Sequence, residues 1–268
     1  MKYLFWNTHK NEKINSVLCD LIIENGISIV VLAEYAADLD ELIELLDING
    51  ISMQQYPTIG CDRIHILGEV GLCVEPHLHA DRWSIQVLNS EIILCCVHLN
   101  SQIYSDNAEK REMDIEQIVG DIQRCESELD TKNTIIVGDF NVNPYDKSCI
   151  SARYFHAIPV YEESKRESRI VSGKETYMFY NPMWNFFGDF HEPYGTYYHG
   201  SSDTINPYWN VYDQVILRPA LRKRFVDKSL RIITETVQTS LLDGKRHPDR
   251  EISDHLPLMF EIKEEDYE

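Results

Sequence analysis

Two short stretches of this sequence carry polar residues in a pattern that suits hydrolytic chemistry. Gly-Asp-Phe-Asn at 138–141 follows the apolar run Thr-Ile-Ile-Val and places a carboxylate two residues before a carboxamide. Ser-Asp-His at 253–255 places another carboxylate beside an imidazole, directly before the apolar run 256–262. Turn chemistry alone explains Asp, Asn and Pro after a strand, so neither stretch by itself identifies a catalytic site.

Further polar residues stand at the ends of other apolar runs. They are Asn7, Glu34, His98 and Asn100, while Asp213 lies inside the run 211–217. Each has a structural alternative: Asn7 suits a helix cap, and His98 suits a hydrogen-bonded core histidine. Asp213 is harder to explain structurally, because a carboxylate in a buried strand needs a partner.

The apolar pattern indicates which elements must position these residues. It predicts strands over 2–7, 28–34, 91–99, 133–139, 211–217 and 256–262, and helices over 11–25, 38–47 and 106–126. Continuously apolar strands are typical of sheets covered on both faces. The chain shows no repeat, linker or low-complexity segment, so we expect one domain over 1–268, of α+β class, with two packed sheets flanked by helices.

Composition limits the class of protein. The chain has 268 residues and a net charge of −19. No apolar stretch approaches the roughly 20 residues that span a bilayer, and the N-terminus does not resemble a signal peptide. The seven cysteines form no Cys-x-x-Cys pair, which argues against a disulfide framework or zinc site. We therefore expect a cytoplasmic protein without a membrane partner.

The order and contexts of the polar residues together are far more specific than any one of them. An Asn ending the first strand, a Glu after an apolar strand, His-Leu, Gly-Asp-Phe-Asn, a strand Asp and Ser-Asp-His occur in that order. This resembles the endonuclease/exonuclease/phosphatase superfamily over residues 2–262. The resemblance implies a four-layer α/β sandwich with two central, mostly antiparallel sheets, helices on the outside and an active site at one edge.

The resemblance also implies a divalent metal site. Glu34 matches the principal metal ligand of the family, and Asn7 and Asp254 match neighbouring positions that hold the ion directly or through water. Mg²⁺ is the expected ion and Mn²⁺ the alternative, since hard cations prefer oxygen ligands. Family members commonly have Gln before this Glu, where Ala33 stands here. Because that residue supports the site without doing chemistry, the metal assignment stands.

The catalytic and substrate-contacting residues follow from the same resemblance. Asp139 matches the residue that orients or deprotonates the attacking water, and Asn141 matches the amide that positions it and the phosphate. Asp213 matches the partner of the catalytic His255, and His98 a second histidine on the phosphoryl oxygens. Whether Asp139 or His255 is the general base stays open. His9 and Asn100 are expected to contact substrate; some abasic-site endonucleases have an acidic residue in place of His9.

The expected function is Mg²⁺-dependent hydrolysis of phosphodiester bonds in nucleic acid. The alternatives are a phosphatase or phosphodiesterase for a small or lipid-linked phosphate ester, and a catalytically silent binding module. Aromatic residues between 177 and 209 suit stacking on unpaired bases. The acidic surface favours short, single-stranded or nicked substrates over long duplex. Arg153, Arg169, Arg218 and the basic run 218–231 are candidate phosphate contacts, and a regulatory protein partner is a further hypothesis. DNA versus RNA and endo- versus exo-cleavage stay open.

Overall fold

The computed structural model describes residues 1–101, 107–202, 204 and 206–264. Its strands are β1 (Lys2–Asn7), β2 (Ile29–Ala33), β3 (Met53–Tyr56), β4 (Ile64–Glu69), β5 (Val74–Ala80), β6 (Trp83–Leu88), β7 (Ile92–His98), β8 (Thr134–Asp139), β9 (Ala157–Ile158), β10 (Ser168–Val171), β11 (Lys174–Tyr177), β12 (Phe179–Tyr180), β13 (Tyr197–Tyr198), β14 (Trp209–Asn210), β15 (Asp213–Leu217), β16 (Arg231–Ile232) and β17 (Leu258–Glu261). The α-helices are α1 (Asn15–Asn25), α2 (Leu39–Ile48), α3 (Asn107–Glu128), α4 (Lys147–Ile150) and α5 (Tyr161–Ser164).

Most of the strands form two large sheets. The first has the order β16-β17-β1-β2-β4-β3, and the second has the order β5-β6-β7-β8-β15-β12-β9. Only β1–β2 is parallel in the first sheet, and only β7–β8 and β12–β9 are parallel in the second. Both sheets are therefore mostly antiparallel, as the sequence predicted, and two small two-stranded pairs, β10–β11 and β13–β14, lie outside them.

The core lies between the two sheets and extends beneath the helices. Alternate side chains of β8 point into two different layers of the core. Ile135 and Val137 pack with residues of the first sheet. Ile136 packs on the other face with the α3 residues Ile115 and Ile118. On the outer side of the first sheet, α1 contributes buried residues to the core. The layer order is helix, sheet, sheet, helix, which confirms the four-layer α/β sandwich.

The predicted helices and strands match the structure to within a few residues at their ends. Helix α2 begins where the sequence indicated, because the Asp38 side chain accepts hydrogen bonds from the backbone N–H groups of Asp40 and Glu41. The sequence analysis missed the strands between 53 and 88. β5 shows why: its sequence, Val-Glu-Pro-His-Leu-His-Ala, is polar and interrupted by proline, as edge strands often are. Within the described residues, no helix has the length and apolar character needed to cross a membrane.

Candidate active site

The predicted site residues come together because the ends of five strands meet at one edge of the sandwich. β1 and β2 are parallel, with Asn7 opposite Ala33, so Glu34 follows directly beside Asn7. β7 and β8 are also parallel, with His98 opposite Asp139. β15 runs antiparallel to β8 and begins at Asp213, opposite Asp139. The polar residues of both sheets therefore lie at the same edge of the sandwich.

Asp139 lies at the centre of this cluster and is buried. Its Oδ1 accepts a hydrogen bond from the Asn141 backbone N–H at 2.8 Å, and its Oδ2 accepts one from Asn7 Nδ2 at 3.1 Å. The preceding Gly138 is required by packing, since a Cβ there would lie 1.9 Å from the Val97 carbonyl oxygen. The Gly-Asp pair therefore reflects close approach of β7 and β8 as well as chemistry.

His255 and Asp213 form a buried pair next to Asp139. His255 Nδ1 lies 2.8 Å from Asp213 Oδ2, which leaves Nε2 free to face the site. Several contacts fix the loop that carries His255: the Ser253 hydroxyl donates to the Asn7 carbonyl at 2.7 Å, and Trp6 Nε1 donates to the His255 carbonyl at 2.8 Å. The structure thus pairs the two residues as the resemblance implied.

Two histidines connect the remaining carboxylates to this centre. His98 Nε2 lies 3.5 Å from Glu34 Oε1 and 3.9 Å from Asp139 Oδ2. His9 Nδ1 lies 3.1 Å from Asp254 Oδ1, and that oxygen is 4.0 Å from His255 Nε2. His9 is half-exposed, whereas His98 is buried. The predicted metal ligands Glu34 and Asp254 thus lie on either side of the buried centre, each beside a histidine.

The two predicted asparagines differ in what they contact. Asn141 Nδ2 donates to the Leu99 carbonyl at 2.9 Å, which holds the side chain beside Asp139. Its backbone has a φ of +52°, and Glu34 has a φ of +49°. Non-glycine residues with positive φ are uncommon and cluster at functional sites. Asn100, by contrast, donates to Asp114 Oδ2 at 2.9 Å, so its amide nitrogen bonds to helix α3.

Burial and charge perturb the titration of these groups. Burial raises the pKa of Asp139, and the neighbouring Asp213 raises it further, against the opposing effect of the histidines. Burial by itself would lower the pKa of His255, but the Asp213 carboxylate and its hydrogen bond raise it well above the usual value. The pKa of His98 is lowered, mainly by burial. His255 is therefore an imidazolium at neutral pH, and His98 is neutral.

The donor set fits a hard divalent cation. Four carboxylates, those of Glu34, Asp139, Asp213 and Asp254, face only one imidazolium, and the buried Asp213 Oδ1 has no hydrogen-bond partner. Surplus negative charge with unpaired oxygens is the environment that Mg²⁺ or Mn²⁺ neutralises. Asp139, Asp213 and His255 also form the tightest group of ligand atoms, all within 4.8 Å of one another. Because Nδ1 of His255 is already hydrogen-bonded, this trio suits proton handling better than ion binding.

The structure reveals neighbours of the site that the sequence analysis missed. The Thr196 hydroxyl accepts a hydrogen bond from the Asp213 backbone N–H at 3.1 Å, and Arg82 donates to the His98 carbonyl at 3.3 Å. Neither carries a local sequence signal. Arg250 lies in the loop just before Ser-Asp-His and lines the same cleft as Asp254, and its place in the sequence was a signal that could have been used.

The other candidate phosphate contacts lie elsewhere and are largely paired. Arg218 is buried against Glu126, Arg169 donates to His156 Nε2 at 2.6 Å, and Arg153 pairs with Glu116. In the run 218–231, Arg222 pairs with Asp227 and Arg224 with Glu91. The expectation that Arg218 contacts a phosphate is wrong, because its guanidinium is sequestered in the core, 3.9 Å from the Phe179 ring centroid.

The aromatic segment 177–209 divides into core and surface residues. Phe179 and Tyr180 are buried and belong to the core. Tyr197 lies beside the candidate site, with its ring centroid 4.8 Å from that of His255. Tyr208 and Phe190 are exposed.

Solved structures share this architecture over nearly the whole chain. The 3'-5' exonuclease NExo from Neisseria meningitidis aligns with a TM-score of 0.61 and 15% identity, covering 98% of this chain and 100% of that chain. An AP endonuclease from Archaeoglobus fulgidus aligns with a TM-score of 0.52 and 12% identity, covering 98% and 99%. The chain has the endonuclease/exonuclease/phosphatase fold.

Another structural match is NExo from Neisseria, described as a 3' phosphatase bound to product DNA hairpin, with a TM-score of 0.59 and 15% identity over 98% of this chain and 100% of that chain. No family model matches the sequence, and no curated protein does so either. At these identities the likeness establishes the fold, and the chemistry must be argued from the site itself.

Proposed function

We propose that this protein is a metal-dependent phosphodiesterase that hydrolyses nucleic acid. The observation that carries the proposal is the buried cluster of Asp139, Asp213 and His255, extended by Glu34 and Asp254, at one edge of the fold. Burying two carboxylates beside one imidazolium, with two further carboxylates only partly exposed, is costly for folding unless the site has a use for them. Perturbed titratable groups clustered at one edge are typical of catalytic sites.

Asp139 is the group best placed to take a proton from the attacking water. Because the pKa of Asp139 is raised towards neutral pH, its carboxylate is a stronger base than that of an exposed aspartate. His255 cannot take that role at neutral pH, because its pairing with Asp213 keeps it protonated. As an imidazolium with Nε2 directed at the site, His255 stabilises negative charge on the phosphoryl group. Asn141 and His98 lie on either side of Asp139 and orient the phosphate.

Asn7, Glu34 and Asp254 are the residues we assign to the metal. A bound Mg²⁺ or Mn²⁺ would neutralise the phosphoryl oxygens and stabilise the leaving oxygen. Asn7 has a second role, because its Nδ2 donates to Asp139 and fixes the carboxylate that handles the proton. Residues of both sheets thus form one site, which supports a single domain over 1–268.

Nucleic acid is favoured over a small phosphate ester as substrate. NExo, whose fold this chain shares, is described as an exonuclease and in complex with product DNA hairpin. The net charge of −19 disfavours long-range attraction to duplex DNA, so short, single-stranded or nicked substrates fit better. A phosphatase acting on a small ester is the second candidate. It is less favoured, since among the described residues no dense basic pocket surrounds the site.

Hydrolysis of a substrate panel tests the proposal. The purified protein, with Mg²⁺ or Mn²⁺, would be given single- and double-stranded DNA, RNA, inositol phosphates and bis(p-nitrophenyl) phosphate. We expect polynucleotide cleavage that is lost in Asp139→Ala and His255→Ala. Release of phosphate from small esters alone would replace the proposal with the phosphatase, and silence on every substrate would contradict both.

A further inference from the structure

A cleft of about 520 Å³ opens beside Asp254 and extends away from the catalytic cluster. One wall is formed by Tyr198 to Ser201, and the other by the loop that runs from Asp243 to Glu251. Asp254 itself lines the cleft, and its neighbour His255 belongs to the catalytic centre. The cleft is therefore continuous with the site at which a scissile phosphate would lie.

Aromatic rings from both walls line this cleft. The Tyr198 ring stacks on His247, with centroids 3.5 Å apart and planes 8° apart. Tyr208, which lies outside the cleft lining, extends this ladder of rings by stacking on Tyr198, at 6.4 Å and 22°. The Tyr208 residue is 55% exposed, so its ring ends the ladder with a face open to solvent.

The backbone holds Tyr208 in this exposed position at a conformational cost. Its φ is +66°, a conformation that bulky residues rarely adopt. The Asn206 side chain stabilises this turn by accepting a hydrogen bond from the Tyr208 N–H at 2.8 Å. Backbone strain that keeps this ring more than half exposed, with Tyr198 as its stacking neighbour, points to a use for the exposed part of the ring.

The loop on the other side of the cleft supplies cationic residues. Lys245 and Arg250 have no ion-pair partner among the described residues, and Arg250 lines the cleft. Two of the cleft's carboxylates are engaged within the loop itself: Asp243 accepts the backbone N–H groups of Lys245 and His247, and Asp249 accepts that of Glu251. Glu251 and Asp254 also line the cleft and keep it acidic, so a phosphate there would be held by direct contact with Arg250 rather than by the overall charge of the cleft.

We propose that this cleft and the Tyr208 ring beside it bind an unpaired nucleotide adjacent to the scissile phosphate, with the phosphate on Arg250 in the cleft and the base on the Tyr208 ring, which stacks on the lining residue Tyr198. The inference rests on the proposed function and adds to it a specificity for single-stranded ends. Stacking on an aromatic ring is available only to a base that has left the duplex. A blunt duplex therefore cannot use this cleft.

Binding measured in the catalytically inactive Asp139→Asn variant tests the inference without requiring turnover. Fluorescence anisotropy with a labelled single-stranded oligonucleotide and with a blunt duplex would compare this parent with the added changes Tyr208→Ala and Tyr208→Phe. We expect Tyr208→Ala to weaken single-strand binding about 10- to 100-fold, while Tyr208→Phe, which keeps the ring, binds like the parent. The inference would be overturned if Tyr208→Ala changed single-strand affinity less than twofold. It would also be overturned if Tyr208→Ala weakened binding to blunt duplex equally, or if Tyr208→Phe weakened single-strand binding as much as Tyr208→Ala.

Salt dependence tests the phosphate contact separately. Arg250→Gln should lower the slope of log K against log salt by about 0.7 on single strands, whereas Arg153→Gln, which removes an equal charge elsewhere, should leave the slope unchanged. Equal slopes for the two variants would overturn the role of Arg250. Hydrolysis of bis(p-nitrophenyl) phosphate by the wild type tests the proposed function independently, so failure of one does not imply failure of the other.

Discussion

Strands β8 and β15 bury charged residues at both of their ends. At one end lie Asp139, Asp213 and His255, and at the other lie Arg218 and Glu126. The Glu126 carboxylate accepts hydrogen bonds from Arg218 Nε at 2.7 Å and from the Thr134 hydroxyl and Lys132 Nζ, both at 2.8 Å. At this end one carboxylate, Glu126, binds two cations. At the Asp139 end several carboxylates surround one imidazolium, that of His255.

The difference between the two ends distinguishes structural from functional burial of charge. At the Glu126 end the cations more than offset the carboxylate, and Arg218 holds the pKa of Glu126 low against the effect of burial. At the Asp139 end the pKa is raised, and Asp213 Oδ1 has no partner. A buried charge that serves stability is paired with opposite charges. A buried charge that serves chemistry lacks full pairing and has a pKa shifted towards neutral pH.

The largest expected effect is on the rate, at the catalytic end. Asp139→Asn should lower nuclease activity about 10³-fold or more, because it removes the proton acceptor. The same variant should unfold in urea at nearly the same denaturant concentration as the wild type, because removal of a disfavoured charge offsets the loss of one of the two hydrogen bonds that the carboxylate accepts. Its raised pKa means that the fold disfavours the charge that the substitution removes. Loss of stability together with activity would show that Asp139 is a structural residue.

At the opposite end the expected effect is on stability. Glu126→Gln leaves Arg218 charged and unpaired in the core, so the free energy of unfolding should fall by about 3–5 kcal/mol. Replacing both partners, as Glu126→Gln with Arg218→Met, should recover much of this loss, since an apolar side chain needs no counterion. Urea unfolding of the two variants measures the difference. If Glu126→Gln unfolds with the same free energy as the wild type, the Glu126–Arg218 ion pair does not contribute to stability.

His156, close to Arg218, provides a smaller effect that depends on pH. Burial and the contact with Arg169 lower the pKa of His156 to about 4, against about 6.5 in an unfolded chain. The unfolded chain therefore binds a proton more readily between these values, and stability is lost as pH falls from 6.5 towards 4. At pH 5 the cost is about 2 kcal/mol. His156→Gln should lose less stability than the wild type between pH 7 and pH 5; equal losses would contradict this.

The smallest expected effect is at the surface. Arg153 pairs with Glu116 on exposed side chains, where solvent screens the interaction. Arg153→Gln should change neither the unfolding midpoint nor the rate of hydrolysis. A lowered rate would restore the initial expectation that Arg153 contacts a phosphate.

The meeting of the candidate site residues at one edge could be predicted from the sequence because that edge is built from strand ends. Asn7, Glu34, His98 and Asp139 each lie at a boundary between an apolar run and a polar loop, which is visible without a structure, and Asp213 lies inside the apolar run 211–217, where a carboxylate needs a partner. The long strands were equally visible. Each is buried on both faces and therefore continuously apolar, as β7 and β8 illustrate.

Other features depend on contacts that no local pattern encodes. Arg218 looked like a surface cation in a basic run, but its burial depends on Glu126, which is 92 residues away. Asn100 looked like a site residue, yet its amide bonds to Asp114 on α3. Phe179 is buried and Tyr208 is exposed, and this difference depends on which aromatic residues the fold covers with other elements. Tertiary packing decides each of these cases.

Metal-dependent cleavage of a single-stranded oligonucleotide tests the central claim most directly. The wild type and the Glu126→Gln/Arg218→Met variant would be assayed with Mg²⁺ and with EDTA, beside His255→Gln. We predict cleavage by the first two that requires Mg²⁺, and none by His255→Gln. Cleavage that persists in EDTA or in His255→Gln would show that the strand-end cluster is not the catalytic site.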